Sequence, residues 1–185
     1  MAWPQEFLAE RYPGTVRREM TVEARAEDGR LVFTARLRDR WCDDDGAEEE
    51  IHGYEVRLEA EPPDLTVVGI DVQPRFLPFP ECPLAALAAR RLVGLRLTKG
   101  FRAAATEVLG GVEGCTHLLT LVLAIWGHQV VSQYMLTRVD DGSHPEGTPD
   151  FEHVANVCSG WREGGLGLRL VRSGQPFPPH VDYGA

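Results

Sequence analysis

The hydrophobic pattern changes period once along this chain. From Thr15 to Gln73 apolar residues recur at every second position, and from Pro83 onward at every third or fourth. A period of two belongs to a strand with one buried face. A period near 3.6 belongs to a helix with a buried stripe. Strands first and helices afterwards indicate an α+β fold. The expected architecture is an antiparallel sheet of about four strands with three helices packed on one face.

Val16, Met20, Val22, Ala24 and Ala26 share one face of the first strand, and arginines and glutamates fill most of the other. Asp28-Gly29 is a hairpin signal, and Leu31, Phe33, Ala35 and Leu37 alternate on the return strand. The run Cys42-Asp43-Asp44-Asp45-Gly46 with Glu48-Glu49-Glu50 reads as a solvated acidic loop. It lacks the ligand spacing of a calcium loop. A third strand is expected from His52 to Ala60, a turn at Pro62-Pro63-Asp64, a fourth strand from Leu65 to Gln73, and a loop from Pro74 to Pro80.

The helical half begins with a short helix over 83–93. Pro83 takes the favoured first position, with Leu84, Leu87 and Leu92 inward. Thr98 is the expected cap of the next helix, whose stripe is Phe101, Ala104, Ala105, Val108 and Leu109; Gly110-Gly111 ends it. A third helix from Cys115 to about Thr137 is apolar on most faces up to Trp126 and should be central. Residues 140–150 read as a mobile loop, and Leu166–Val171 as a short strand. The domain organisation expected is an N-terminal arm over 1–14, one α+β domain over 15–172, and an extended tail over 173–185.

A chain of 185 residues can bury a core without disulfides. The net charge of -9 opposes binding to nucleic-acid phosphates or an anionic membrane surface. The start lacks a basic and then apolar leader, and the longest apolar stretch, Leu118 to Trp126, is too short to span a bilayer. A cytoplasmic location is expected. There the four cysteines serve as thiols or ligands, not disulfides. No glycine-rich phosphate loop, Gly-x-Ser-x-Gly elbow or His-Glu-x-x-His motif is present.

Chemistry is concentrated in two motifs, Pro80-Glu81-Cys82-Pro83 and Gly114-Cys115-Thr116-His117. Each sets a cysteine where a helix should begin, next to free backbone N–H groups that attract anionic sulfur. Thiols with imidazoles make a soft metal site or a reactive-cysteine site. Against this stand plain structural readings: Cys82 as a small buried residue, His117 as a helix-end residue, His52 as an isolated strand histidine. His128 follows His117 by about 16 Å of helix, too far to share one ion. Cys42 reads as exposed, and Cys158 as core or a further ligand.

The stretches Ile51-His52-Gly53-Tyr54-Glu55-Val56-Arg57-Leu58, Glu81-Cys82-Pro83, Leu92-Val93-Gly94-Leu95 and Leu109-Gly110-Gly111-Val112-Glu113-Gly114-Cys115-Thr116-His117-Leu118 resemble a bacterial family catalogued as domain of unknown function 2889. The resemblance spans roughly residues 15–172 and brings no function with it. More distantly, the order His52, Cys82, Cys115 resembles the ligand order of iron–sulfur scaffold proteins of the IscU and NifU type. In that likeness His52 replaces the first cysteine, and His117 a histidine before the last one; the scaffold's aspartate has no match.

Converging His52, Cys82 and Cys115 would make a catalytic zinc set with an open position, which His117 or Cys158 would close. Three readings follow. The first is a zinc protein bound by His52, Cys82 and Cys115, with His117 as fourth ligand or catalytic proton carrier. It would be a hydrolase or lyase acting on a small molecule under a roof of Phe76–Phe79. The second is an iron, iron–sulfur or other metal carrier without catalysis of its own. The third is a metal-free structural or partner-binding protein. Oligomeric state stays open.

Overall fold

The structure, a computed structural model, describes residues 14–98, 100–136 and 155–175. Residues 1–13 of the expected arm over 1–14, the loop over 140–150 and the end of the tail lie outside the described residues. Four strands, β1 (Thr15–Glu27), β2 (Arg30–Cys42), β3 (Glu48–Glu61) and β4 (Thr66–Phe76), form one antiparallel sheet in the order β1-β2-β3-β4. The helices are α1 (Leu84–Ala88), continued as a 3-10 turn over Ala89–Leu92, then α2 (Phe101–Leu109), α3 (Thr116–Leu136) and α4 (Leu166–Arg172). The fold is α+β, as the change of period indicates.

Alternation is what sorts the sheet into two faces. The register sets Phe33 opposite Leu58, Ala35 opposite Val56 and Leu37 opposite Tyr54, and all six are buried. They share one core with Leu92, Phe101, Leu118, Leu121 and Ile125 from the helical half. Burying each valine, leucine, isoleucine or phenylalanine among them contributes roughly 1.5–3 kcal/mol. The opposite face is a lattice of ion pairs: Glu55 binds Arg36 and Arg75, Glu59 binds Arg30 and Arg57, and Glu50 binds Arg38.

Several boundaries depart from the expected ones. β3 begins at Glu48, so the three glutamates belong to a strand; only residues 43–47 turn, held by Asp43 Oδ1 accepting from the backbone N–H of Asp45 and Ala47. β4 runs through Pro74 to Phe76, which an edge strand tolerates. Along α1 and its 3-10 continuation it is Ala85, Ala89 and Leu92 that point inward, at spacings of four and three, while Leu84 and Leu87 are exposed. Gly100, with φ of 97°, precedes α2 in place of a Thr98 side-chain cap; the Thr98 carbonyl instead accepts from Phe101 N–H and Trp126 Nε1. Residues Leu166–Arg172 are helical, not a strand. Their alternating leucines mimic a strand over a run too short for the two periods to separate. Among the described residues no helix is long and apolar enough to cross a membrane.

Candidate metal centre

One row of side chains crosses three strands at the end of the buried face. Arg18 of β1 stands opposite Asp39 of β2, and Asp39 opposite His52 of β3. Asp39 continues the inward parity of Leu31, Phe33, Ala35 and Leu37, and His52 that of Tyr54. Immediately beyond, the register slips: Arg40 faces Glu50, which leaves Ile51 as an extra residue. Such a bulge interrupts the ladder and redirects side chains, and pairing resumes from Arg40 to Cys42. The row therefore sits where the apolar core stops.

The fourth member arrives from the helical half. The turn between α2 and α3 folds back so tightly that Cys115 N–H donates to the Leu109 carbonyl at 3.0 Å. Gly114 lies against that carbonyl, and a Cβ there would come within 1.9 Å of it. Gly111 has φ of 68°, in the left-handed region. The Gly110-Gly111-x-x-Gly114 spacing thus brings Cys115 to the N-terminus of α3, where its carbonyl accepts from Leu119 N–H. His117 lies in the first turn of the same helix.

His117 stacks on His52, with ring centroids 3.8 Å apart and planes inclined by 25°. Asp39 Oδ2 lies 3.5 Å from His52 Nδ1 and 3.7 Å from His117 Nε2. These are contacts longer than hydrogen bonds. Arg18 grips the same carboxylate with both arms of its fork, Nε on Oδ1 at 2.7 Å and Nη2 on Oδ2 at 2.8 Å. The Asp39 side chain is only 5% exposed. The Arg18 hydrogen bond holds its carboxyl below the usual range against the opposing effect of burial, with smaller help from the charge of Arg18 and the two histidines. The proton affinity of His117 is lowered, first by burial and then by His52 and Arg18; Asp39 acts the other way. A neutral ring offers a lone pair, which is what a metal ion requires.

Among the described residues, Asp39, His52 and His117 are the group whose ligand atoms all lie within 4.8 Å of one another. His52 and His117 are thus brought together as the sequence leads one to expect, and a carboxylate joins them. Cys82 and Cys115 stand outside the group. Cys115 Sγ is 3.7 Å from the far nitrogen of His117, Nδ1. Cys82 accepts, through its carbonyl, a 3.4 Å hydrogen bond from the Tyr54 hydroxyl. Burial, followed by a hydrogen bond to the Cys115 thiol and then the charges of Cys115 and Cys82, raises the Tyr54 phenol above its ordinary range. The Tyr54 hydroxyl thus meets both cysteines, and His117 stands between Cys115 and the carboxylate. Cys158 is exposed, and the Cys42 thiol donates to Glu48.

Arg18 and Asp39 carry no motif. Asp39 is nevertheless legible as a charge on the inward parity of a strand, a setting in which a carboxylate needs a partner. An open cavity of about 430 Å³ is lined by Val16, Arg18, Asp39, Ile51, His52 and His117. Phe76 and Phe79 are exposed and do not line it, so the expected aromatic roof lies elsewhere.

No curated protein and no solved structure matches the chain. Residues 16–130, which include every member of the site and all of the sheet except Thr15, match the model described as Protein of unknown function (DUF2889). That match takes in more than half of the chain, and the chain belongs to this family.

Proposed function

We propose that the protein is a metalloprotein of the cytoplasm that binds one divalent ion, zinc foremost and iron as the alternative, through His52, His117 and Asp39. The observation that carries this reading is the convergence of two imidazole nitrogens and one buried carboxylate oxygen within 4.8 Å. Two histidines and one carboxylate suit zinc or iron(II) and leave coordination positions open. Four unpaired cysteines fit a reducing compartment.

Each side chain has a distinct task. Asp39 supplies the negative charge, and Arg18 fixes its orientation through the bidentate bond. His52 and His117 offer ring nitrogens from a strand and a helix, so the site ties the two halves of the domain together. A divalent ion held there supplies Lewis acidity, which suits hydrolysis or elimination on a small molecule entering the open cavity. With Asp39 offset by Arg18, a bound dication leaves the site positive, so an anionic substrate is favoured.

A second reading has its own observation. Cys115 Sγ and Asp39 Oδ2 approach opposite nitrogens of His117, each at 3.7 Å. A thiol, an imidazole and a carboxylate in that order form a nucleophile with its base and orienting group.

The deciding experiment is metal analysis of the full chain prepared without chelator and after incubation with excess zinc. About one zinc per chain is expected, lost in His52→Ala and in His117→Ala but kept in Cys82→Ser and Cys115→Ser. Visible sulfur-to-iron absorption would favour the carrier. A wild-type protein that retains no metal after reconstitution would sink the metal reading. Rapid and selective alkylation of Cys115, slowed in His117→Ala, would then favour the thiol reading.

A further inference from the structure

Strand β1 forms one edge of the sheet, and among the described residues nothing pairs with its outer side. It is long, with 13 residues. It contains neither proline nor glycine, and its register with β2 runs without a bulge. Short length, proline, bulges and charged side chains are the usual devices that keep an open edge from pairing. β1 has charges alone, and their order is informative.

We propose that β1 pairs antiparallel with β1 of a second copy, about a two-fold axis through Val22, so that two sheets join into one. An axis normal to the sheet keeps each face on its own side, so charged-face residues meet charged-face residues. Such an axis passes through a residue, never between two. Centred on Val22, it sets Arg17 opposite Glu27 of the partner subunit and Glu19 opposite Arg25 of the partner subunit. The symmetry makes each pair twice.

The neighbouring registers do worse. Centred on Thr21, Arg17 meets the partner's Arg25 and Glu19 meets the partner's Glu23. Centred on Glu23, that residue meets itself and Glu19 meets the partner's Glu27. Centred on Met20, one favourable pair per side remains, Arg17 with the partner's Glu23. Like charges directly opposite destabilise a strand pair, and unlike charges stabilise it.

The resulting pattern already exists within the chain. Glu55 of β3 is held between Arg36 of β2 and Arg75 of β4, at 3.0 and 2.6 Å. Glu19 is held by Arg40 of β2 on one side only, and the pairing adds the partner's Arg25 on the other, drawn from its ion pair with Glu27 of its own strand. On the inner face Val16 and Met20 are 63% and 42% exposed, although both keep the inward parity. Pairing lays Met20 against the partner's Ala24 and Val22 against its own copy. This interface does not depend on the metal reading, though Val16 and Arg18 of β1 also line the cavity and place its mouth near the seam.

The test is the mass of the intact protein in solution at micromolar concentration, by light scattering or sedimentation. Wild type is expected at twice the 20.5 kDa of the chain. Glu19→Arg and Arg25→Glu should each fall to the single-chain mass with an unchanged circular dichroism spectrum. The double variant Glu19→Arg/Arg25→Glu should recover the dimer. A second measurement reads the register without relying on those charges: Val22→Cys should cross-link under mild oxidation beyond a wild-type control, and Thr21→Cys should not. A monomeric wild type, a dimer indifferent to either single reversal, or cross-linking through Thr21→Cys in preference to Val22→Cys would overturn the proposal.

Discussion

The two faces of the sheet carry the same chemical pair in different surroundings. On the outer face Arg36 bonds Glu55 with both side chains open to water, 61% and 24% exposed. On the inner face Arg18 bonds Asp39, whose side chain is 5% exposed at the end of an apolar core. Water and salt screen the first pair, so it contributes little. In the second, the carboxylate has lost its hydration and depends on Arg18. A buried charge in contact with two histidines is where chemistry can be expected; an exposed ladder is where association can be.

The core side of this comparison breaks most severely. Phe33→Ala removes a fully buried ring between the sheet and the helices and should cost about 3–5 kcal/mol, read as a lower urea midpoint. Asp39→Ala should cost less, roughly 1–3 kcal/mol, because the freed Arg18 is 40% exposed and can turn to water. Arg36→Ala should cost under about 1 kcal/mol. If Arg36→Ala and Asp39→Ala proved equal, the contrast between the faces would fail.

Acid sharpens the same contrast. The folded carboxyl of Asp39 is depressed below its ordinary value of 3.8. Its contribution is therefore present in full above that pH and is lost as pH falls through the depressed folded value. His117, lowered from 6.5, has the same sign: its contribution is full above pH 6.5 and declines as pH falls toward its folded value. Metal-free wild type should lose stability between pH 6.5 and acid more steeply than His117→Gln, and below about pH 4 more steeply than Asp39→Asn, both followed by urea unfolding. Parallel curves would remove these two groups from the acid response.

Much of this fold is legible in the residues, for reasons that stay local. Asp28 and Gly29 both adopt positive φ, as a two-residue hairpin between right-handed strands demands. The alternation of Leu31 to Leu37 and of Tyr54 to Ala60 depends only on which neighbours are apolar. The stripe from Phe101 to Leu109 likewise declares a helix. Leu84 and Leu87 mislead because residues 84–89 are apolar on every face, so the local pattern cannot choose between their stripe and that of Ala85 and Ala89, and Val16 because nothing among the described residues covers its end of β1.

The site divides along the same line. His52, Cys82, Cys115 and His117 stand out by residue type and motif, and the glycines before Cys115 mark a close turn. Which of them meet is a long-range matter. Asp39 lies 13 residues from His52 and 78 from His117 along the chain, and only strand register and the docking of α3 bring the three together. The sequence by itself determined the order of strands and helices, the two faces of the sheet and the identity of the reactive side chains, because periodicity and residue chemistry act within a few positions. Only the tertiary structure decided that Asp39 joins the two histidines in one group within 4.8 Å, and that Arg18 holds it there, because burial and contact depend on packing between distant segments.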